Sequence, residues 1–153
     1  MILGSPLNLV SESDLFAFLD ELVDAAKNRK EDAAIGQFDK YLDKTFGDKV
    51  LEIIQRKHLN HIDVYKAAGM DRRLFSKTVN NKNYKLSKNS VISLILALEV
   101  DFDEADDLMH RAGFSFSHCT KQDVIVEYFI KKKIYSIQFL NEVFTFLELP
   151  VLC

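Results

Sequence analysis

The stretch HIDVYKAAGMDRRLFSKTVNN, residues 61–81, decides the fold. Ile62–Ala68 is long enough for about two helical turns. Gly69 ends it, because a residue without Cβ adopts positive φ at little cost. Asp71 is a good N-cap, since its carboxylate accepts from backbone N–H groups that a helix start leaves unpaired. The helix it opens runs through Leu74, Phe75 and Val79. Val64, Ala68, Met70 and Phe75 fall at offsets that bury them together around the glycine, so the stretch predicts two short helices joined by a tight turn.

Outward from this unit the periodicity stays helical. Asn80–Lys85 is a polar, basic loop, and Ser87 or Asn89 starts the helix Val91–Leu98. That helix is apolar around most of its circumference and predicts the central core element. Asp101 or Asp103 caps a helix with Leu108 and Met109, stopped by Gly113. Upstream, a helix carries Phe46, Val50, Ile53 and Ile54 and fades near His58. Two more close the chain: Lys121–Lys132, with Val124, Ile125, Tyr128 and Phe129 inward, and Ser136–Leu147, with Ile137, Leu140, Phe144 and Leu147 inward. At the other end Ser11, with Asp14 three residues on, caps a helix bearing Leu15, Phe18, Leu19, Leu22 and Ala26. Asn28-Arg29-Lys30 forms a turn to a second stretch with Ala34, Ile35, Phe38, Tyr41 and Leu42, so residues 11–44 predict a helical hairpin. The expected fold is all-α: a leader over 1–45, a five-helix core over 46–118, and a C-terminal helix pair over 119–153.

Composition sets outer bounds. With 153 residues and 48% hydrophobic content the chain can bury a core, and Gly 5 with Pro 2 disfavours a turn-rich β-sandwich. The net charge of −3 excludes a uniformly basic nucleic-acid coat, so any basic surface is local. Residues 1–45 hold nine acids and five bases. Residues 56–88 hold nine bases and two acids, a balance of +7, and 89–107 hold six acids and no base. The apolar runs are too short to span a bilayer, and Met1–Val10 lacks the pattern of a signal peptide. Cys119 and Cys153 make no disulfide framework. The expectation is a cytoplasmic protein with no membrane partner.

Ala67-Ala68-Gly69-Met70-Asp71 as turn and cap, and Leu74-Phe75-Ser76-Lys77 after them, resemble the lambda-repressor/Cro-like (XRE) helix-turn-helix family. Val91–Leu98 followed by Glu99–Ala105 is similar to that family's closing helix pair, and the resemblance covers about half the chain. Two positions depart from the pattern. Tyr65 stands where the family usually has a small residue, and Thr78 where it has an apolar one, with Val79 beside it able to take the buried role. Either a small helix shift absorbs both, or they mark a copy that no longer reads DNA. Phe75-Ser76-Lys77, the Asn81–Tyr84 loop, Ser87-Lys88 and Ala112–His118 resemble, more narrowly, a bacterial tail module of this fold found fused to signalling parts such as macro domains. The module would then run from about Phe46 to the C-terminus, behind a variable leader.

The resemblance implies that the helix over 71–81 enters the major groove while its predecessor crosses the backbone. Arg72 and Arg73 would reach bases or phosphates, with Ser76 and Lys77 one turn on. Asn80, Asn81 and Lys82 would follow at the end, and Lys85 and Lys88 would line the next loop and helix start. The implied activity is sequence-specific binding of double-stranded DNA in transcriptional control, in a bacterium or phage, by a homodimer. The leader, or the terminal pair with Phe139, Phe144, Phe146 and Leu149, offers a pairing surface. The alternative is a non-catalytic interaction or adaptor module on the same fold, in a stress or phage-defence system, with an acidic protein partner. A solvated basic face is the third reading of the +7 run.

Other constellations are weak. His58 and His61 lack companion ligands for a tetrahedral metal, and His110, His118 and Cys119 around the Gly113 bend follow no structural zinc spacing. Cys119 is expected to be partly buried. The acids of 99–107 lack the glycine and terminal glutamate of a calcium loop and are better placed as helix-start charges. No phosphate-cradling glycine loop or nucleophile elbow occurs, so neither an enzyme, a cofactor nor a metal is expected.

Overall fold

Every described helix begins at a Ser, Thr, Asn or Asp side chain that accepts a backbone N–H of the first turn. In the computed structural model, which describes residues 11–28 and 38–152, these caps open eight helices, and the described residues contain no strand. They are α1 (Glu12–Lys27), α2 (Phe46–Arg56), α3 (His61–Ala67), α4 (Arg72–Asn80), α5 (Lys88–Leu98), α6 (Phe102–Arg111), α7 (Lys121–Lys131) and α8 (Ile137–Phe146). The fold is all-α. The chain divides into two compact units, Met1–Lys44 and Thr45–Cys153.

In the first unit Ser11 caps α1 as expected, accepting from Asp14 N at 3.1 Å. Phe18 is buried, edge-on to Phe38 at 5.3 Å and stacked on Tyr41 at 4.5 Å. Ala26, expected inward, is exposed. Residues 38–41 form a single 3-10 turn; Arg29, Lys30, Ala34 and Ile35, which define the rest of the expected hairpin, lie outside the described residues.

In the second unit α5 is central: Val91 through Leu96 and Leu98 are all buried. α2 packs on α4 and α6, α3 on α5, and α6 on α7. One hydrophobic cluster runs from Phe46 in α2 to Phe144 in α8 and Leu152 beyond it. Gly69 (φ +69°) and Gly113 (φ +85°) end α3 and α6 as the sequence predicts. The Met70 and Phe114 amides then turn back to the carbonyls of Tyr65 and Met109 at 2.8 and 2.9 Å. His58, Glu99, Lys133 and Glu148 take the same left-handed role after α2, α5, α7 and α8 without being glycine.

Three details differ from expectation. α7 buries Asp123, Val126, Phe129 and Ile130, while Val124 and Tyr128 are 44% and 55% exposed. Its run of six apolar residues between Val124 and Ile130 covers two adjoining faces, so spacing alone does not fix the phase; the buried Asp123 does, by pairing with Lys88 of α5. α8 buries Leu140 and Phe144, but Leu147, which caps its end, is exposed. In α4 it is Thr78, not Val79, that is buried. Its hydroxyl donates to the Leu74 carbonyl at 2.8 Å, so the polar group is satisfied inside its own helix.

Candidate nucleic-acid interface

α4 is amphipathic for a local reason: Phe75 and Thr78 point into the core, Leu74 and Val79 flank them, and the remaining positions face out. Asp71 accepts from Leu74 N at 2.7 Å and fixes where the helix starts. Arg72, Arg73, Ser76, Lys77 and Asn80 are exposed, as are Asn81, Lys82 and Lys85 beyond the helix. Asn80 Nδ2 donates to Ser76 Oγ at 3.1 Å. Asn81 turns the chain: its side-chain oxygen accepts from Asn83 N at 3.0 Å and its carbonyl from Tyr84 N at 3.1 Å. The buried Leu86 anchors the far side of this loop. The Lys77 ammonium lies 5.9 Å from the Tyr84 ring centroid, a contact the sequence spacing does not announce.

Lys88 parts from the expected set. Its Nζ is 2.7 Å from Oδ2 of Asp123, whose side chain is 4% exposed and which also accepts the Ser117 N–H at 2.8 Å. The Lys88 charge is therefore engaged in joining α5 to the start of α7. Two other bases of the +7 block are also held by the fold. Arg56 makes a bidentate pair with Glu104 (2.7 and 2.8 Å), whose hydrogen bonds raise the arginine pKa above its ordinary value. Lys57 Nζ donates to the Leu98 and Glu99 carbonyls at 2.7 and 2.8 Å, capping the end of α5. Lys66, which sequence reasoning did not assign to the site, is exposed on the last turn of α3. Arg72, Arg73, Lys82 and Lys85 pair with no acid among the described residues.

The remaining titratable groups do not converge. His110 Nδ1 sits 2.8 Å from the Asp106 carbonyl, whereas His118 Nε2 is 3.0 Å from Glu127, so the two rings have different partners. Glu127 is held below the ordinary glutamate range by the hydrogen bond from Lys131 and then by that from His118, against the opposing effect of burial. Cys119 is exposed rather than partly buried. Among the described residues no three His, Cys, Asp or Glu side chains are placed to hold a metal ion.

Compared with models of protein families, with curated proteins and with solved structures, the chain matches none.

Proposed function

We propose that this chain is a non-catalytic, sequence-specific DNA-binding protein, a transcriptional regulator acting in the cytoplasm, with α4 as the helix that enters the major groove. The observation that carries the reading is the outward face of α4. Arg72, Arg73, Ser76 and Lys77 stand exposed on a helix whose other face is anchored by Phe75 and Thr78. Lys82 and Lys85 extend the same charge past its end. A major groove about 12 Å wide admits one helix of this kind. The exposed arginines suit guanine edges, while the lysines supply affinity through counterion release.

The assay is duplex binding as a function of salt. Arg72, Arg73, Lys77, Lys82 and Lys85 together give an expected slope of roughly −3 to −5 in log K against log salt per copy. Arg72→Ala with Arg73→Ala, at about 1–3 kcal/mol each, is expected to weaken binding at least ~30-fold without loss of helicity. Unchanged affinity in the double variant rejects the reading. Operator recognition by two copies is part of the proposal, because paired half-sites double the contacts. Tyr128, Phe139 and Phe146, all exposed on α7 and α8, are the side chains offered for that pairing.

A further inference from the structure

Beside α4 lie two adjoining concavities of opposite character. One, of about 560 Å³, has an apolar floor of Leu51, Ile62, Tyr65, Phe75 and Val79. The other, of about 400 Å³, is bounded by Arg72, Arg73, Ser76 and Lys77. Arg72 and Ser76 belong to both, and among the described residues no acidic side chain lines either. Ile62 is 49% exposed at the start of α3, a large apolar side chain that the core does not use. Tyr65, one of the two positions that depart from the resembled pattern, is half-buried with its ring 5.6 Å from that of Phe75. It helps form the floor rather than closing the gap.

A duplex occupies only the second concavity. Its surface is phosphate, sugar and base edges, and a rigid double helix has no large apolar group to set against this lining. A polypeptide with large apolar side chains on one face and carboxylates on the other matches both at once. A hollow of this size holds an aromatic anchor, and the neighbouring arginines and lysine receive acids at helical spacing. From this charge and apolar complementarity we infer that the groove is a docking site for an acidic amphipathic segment of a partner protein. Because Arg72 and Ser76 rim both concavities, that segment and duplex DNA exclude one another. The site is thus a means of releasing the regulator from DNA. The exclusion rests on the DNA-binding proposal; the docking does not.

The full chain is titrated with a fluorescein-labelled peptide that carries glutamates on one helical face and phenylalanine and leucine on the other. A second peptide has every glutamate replaced by lysine. Saturable binding of the acidic peptide alone is expected. Ile62→Ser, at a surface position, weakens it by roughly tenfold or more, since three apolar carbons lose their cover. Lys85→Gln, outside the groove, leaves it unchanged while lowering the duplex salt slope by about one. Unlabelled peptide displaces a bound duplex. Equal binding of the lysine peptide, indifference to Ile62→Ser, or no binding overturns the docking site. Peptide binding that leaves a bound duplex in place overturns the exclusion. If peptide binds as described and no duplex binds at low salt, the docking site stands and the DNA-binding proposal falls.

Discussion

Asp123 is the group whose removal most directly tests how the second unit is joined. Its carboxylate, 4% exposed, accepts from Lys88 Nζ at 2.7 Å and from the Ser117 amide at 2.8 Å, linking the start of α5, the segment before α7, and α7 itself. In Asp123→Ala the Ser117 N–H loses its acceptor in a part-buried position, which costs about 1–3 kcal/mol. The Lys88 side chain is 32% exposed and can turn to solvent, so its loss is nearer about 1 kcal/mol than the 3–5 kcal/mol of a fully buried pair. The sum is about 2–4 kcal/mol. Asp123→Asn keeps an oxygen for Ser117 and loses only the charge, so it is expected to cost about half as much. Urea denaturation followed through methyl resonances of Val126 and Ile130 measures both variants on the unit concerned. The reasoning is refuted if alanine and asparagine destabilise equally, or if alanine leaves the midpoint unchanged.

Gly47→Ala is expected to destabilise the second unit by about 1–3 kcal/mol. An added Cβ overlaps the Thr78 carbonyl and sits 3.0 Å from Val79 Cα, pushing α2 from α4, and an unaltered thermal midpoint contradicts that packing. Glu127 has a folded pKa below its ordinary 4.5, set first by Lys131 and then by His118. Its contribution to stability is complete above the unfolded value and disappears as pH falls through the lowered one. Glu127→Gln therefore flattens the acid limb of a stability–pH curve, and superimposable limbs exclude the assignment. Lys82→Gln is expected to reduce the salt slope of duplex binding by about one with stability intact, whereas Lys88→Gln lowers stability and leaves the slope alone. The reverse pattern in paired binding and melting measurements would place Lys88, not Lys82, on the DNA.

The turn at Gly69, the cap at Asp71 and the buried girdle of α5 were all legible because each rests on a local rule: positive φ, an orphan amide, an apolar circumference. The start of α5 stood open between Ser87 and Asn89, and Ser87 is the cap. The phase of α7 was not. Val124, Ile125, Val126, Tyr128, Phe129 and Ile130 satisfy two helical faces equally, and the choice is made by Asp123 reaching Lys88, 35 positions earlier in the chain. The span of α8 was legible to its caps, Ser136 and Leu147, but the exposure of Leu147 was not. At the candidate interface the exposed side of α4 was expected from the family resemblance, while the periodicity put Val79 rather than Thr78 inward, and the assignment of Lys88 did not foresee its long-range partner. The apolar hollow beside Tyr65 was equally hidden, because it takes residues from three helices.

The ion pairs of the second unit are unevenly distributed along the chain. Two acid–base pairs one turn apart lie within helices, Asp107 with Arg111 on α6 at 2.9 Å and Glu127 with Lys131 on α7 at 2.7 Å. Such pairs stabilise a helix by a few tenths of a kcal/mol and arise wherever surface composition is unconstrained. The segment 66–85 makes no acid–base pair among the described residues. It holds six bases and one acid, and the acid, Asp71, is turned to the start of α4 as its cap. The bases of the wider block that do meet acids, Arg56 and Lys88, lie outside this segment and bind to α6 and α7. What is left on α4 and its loop is a set of like charges whose mutual repulsion works against the folded state. A polyanion brought against that face relieves the repulsion, whereas bulk water only screens it. α4 itself carries no acid, in a chain with more acids than bases overall, and the DNA-binding proposal is built on that arrangement.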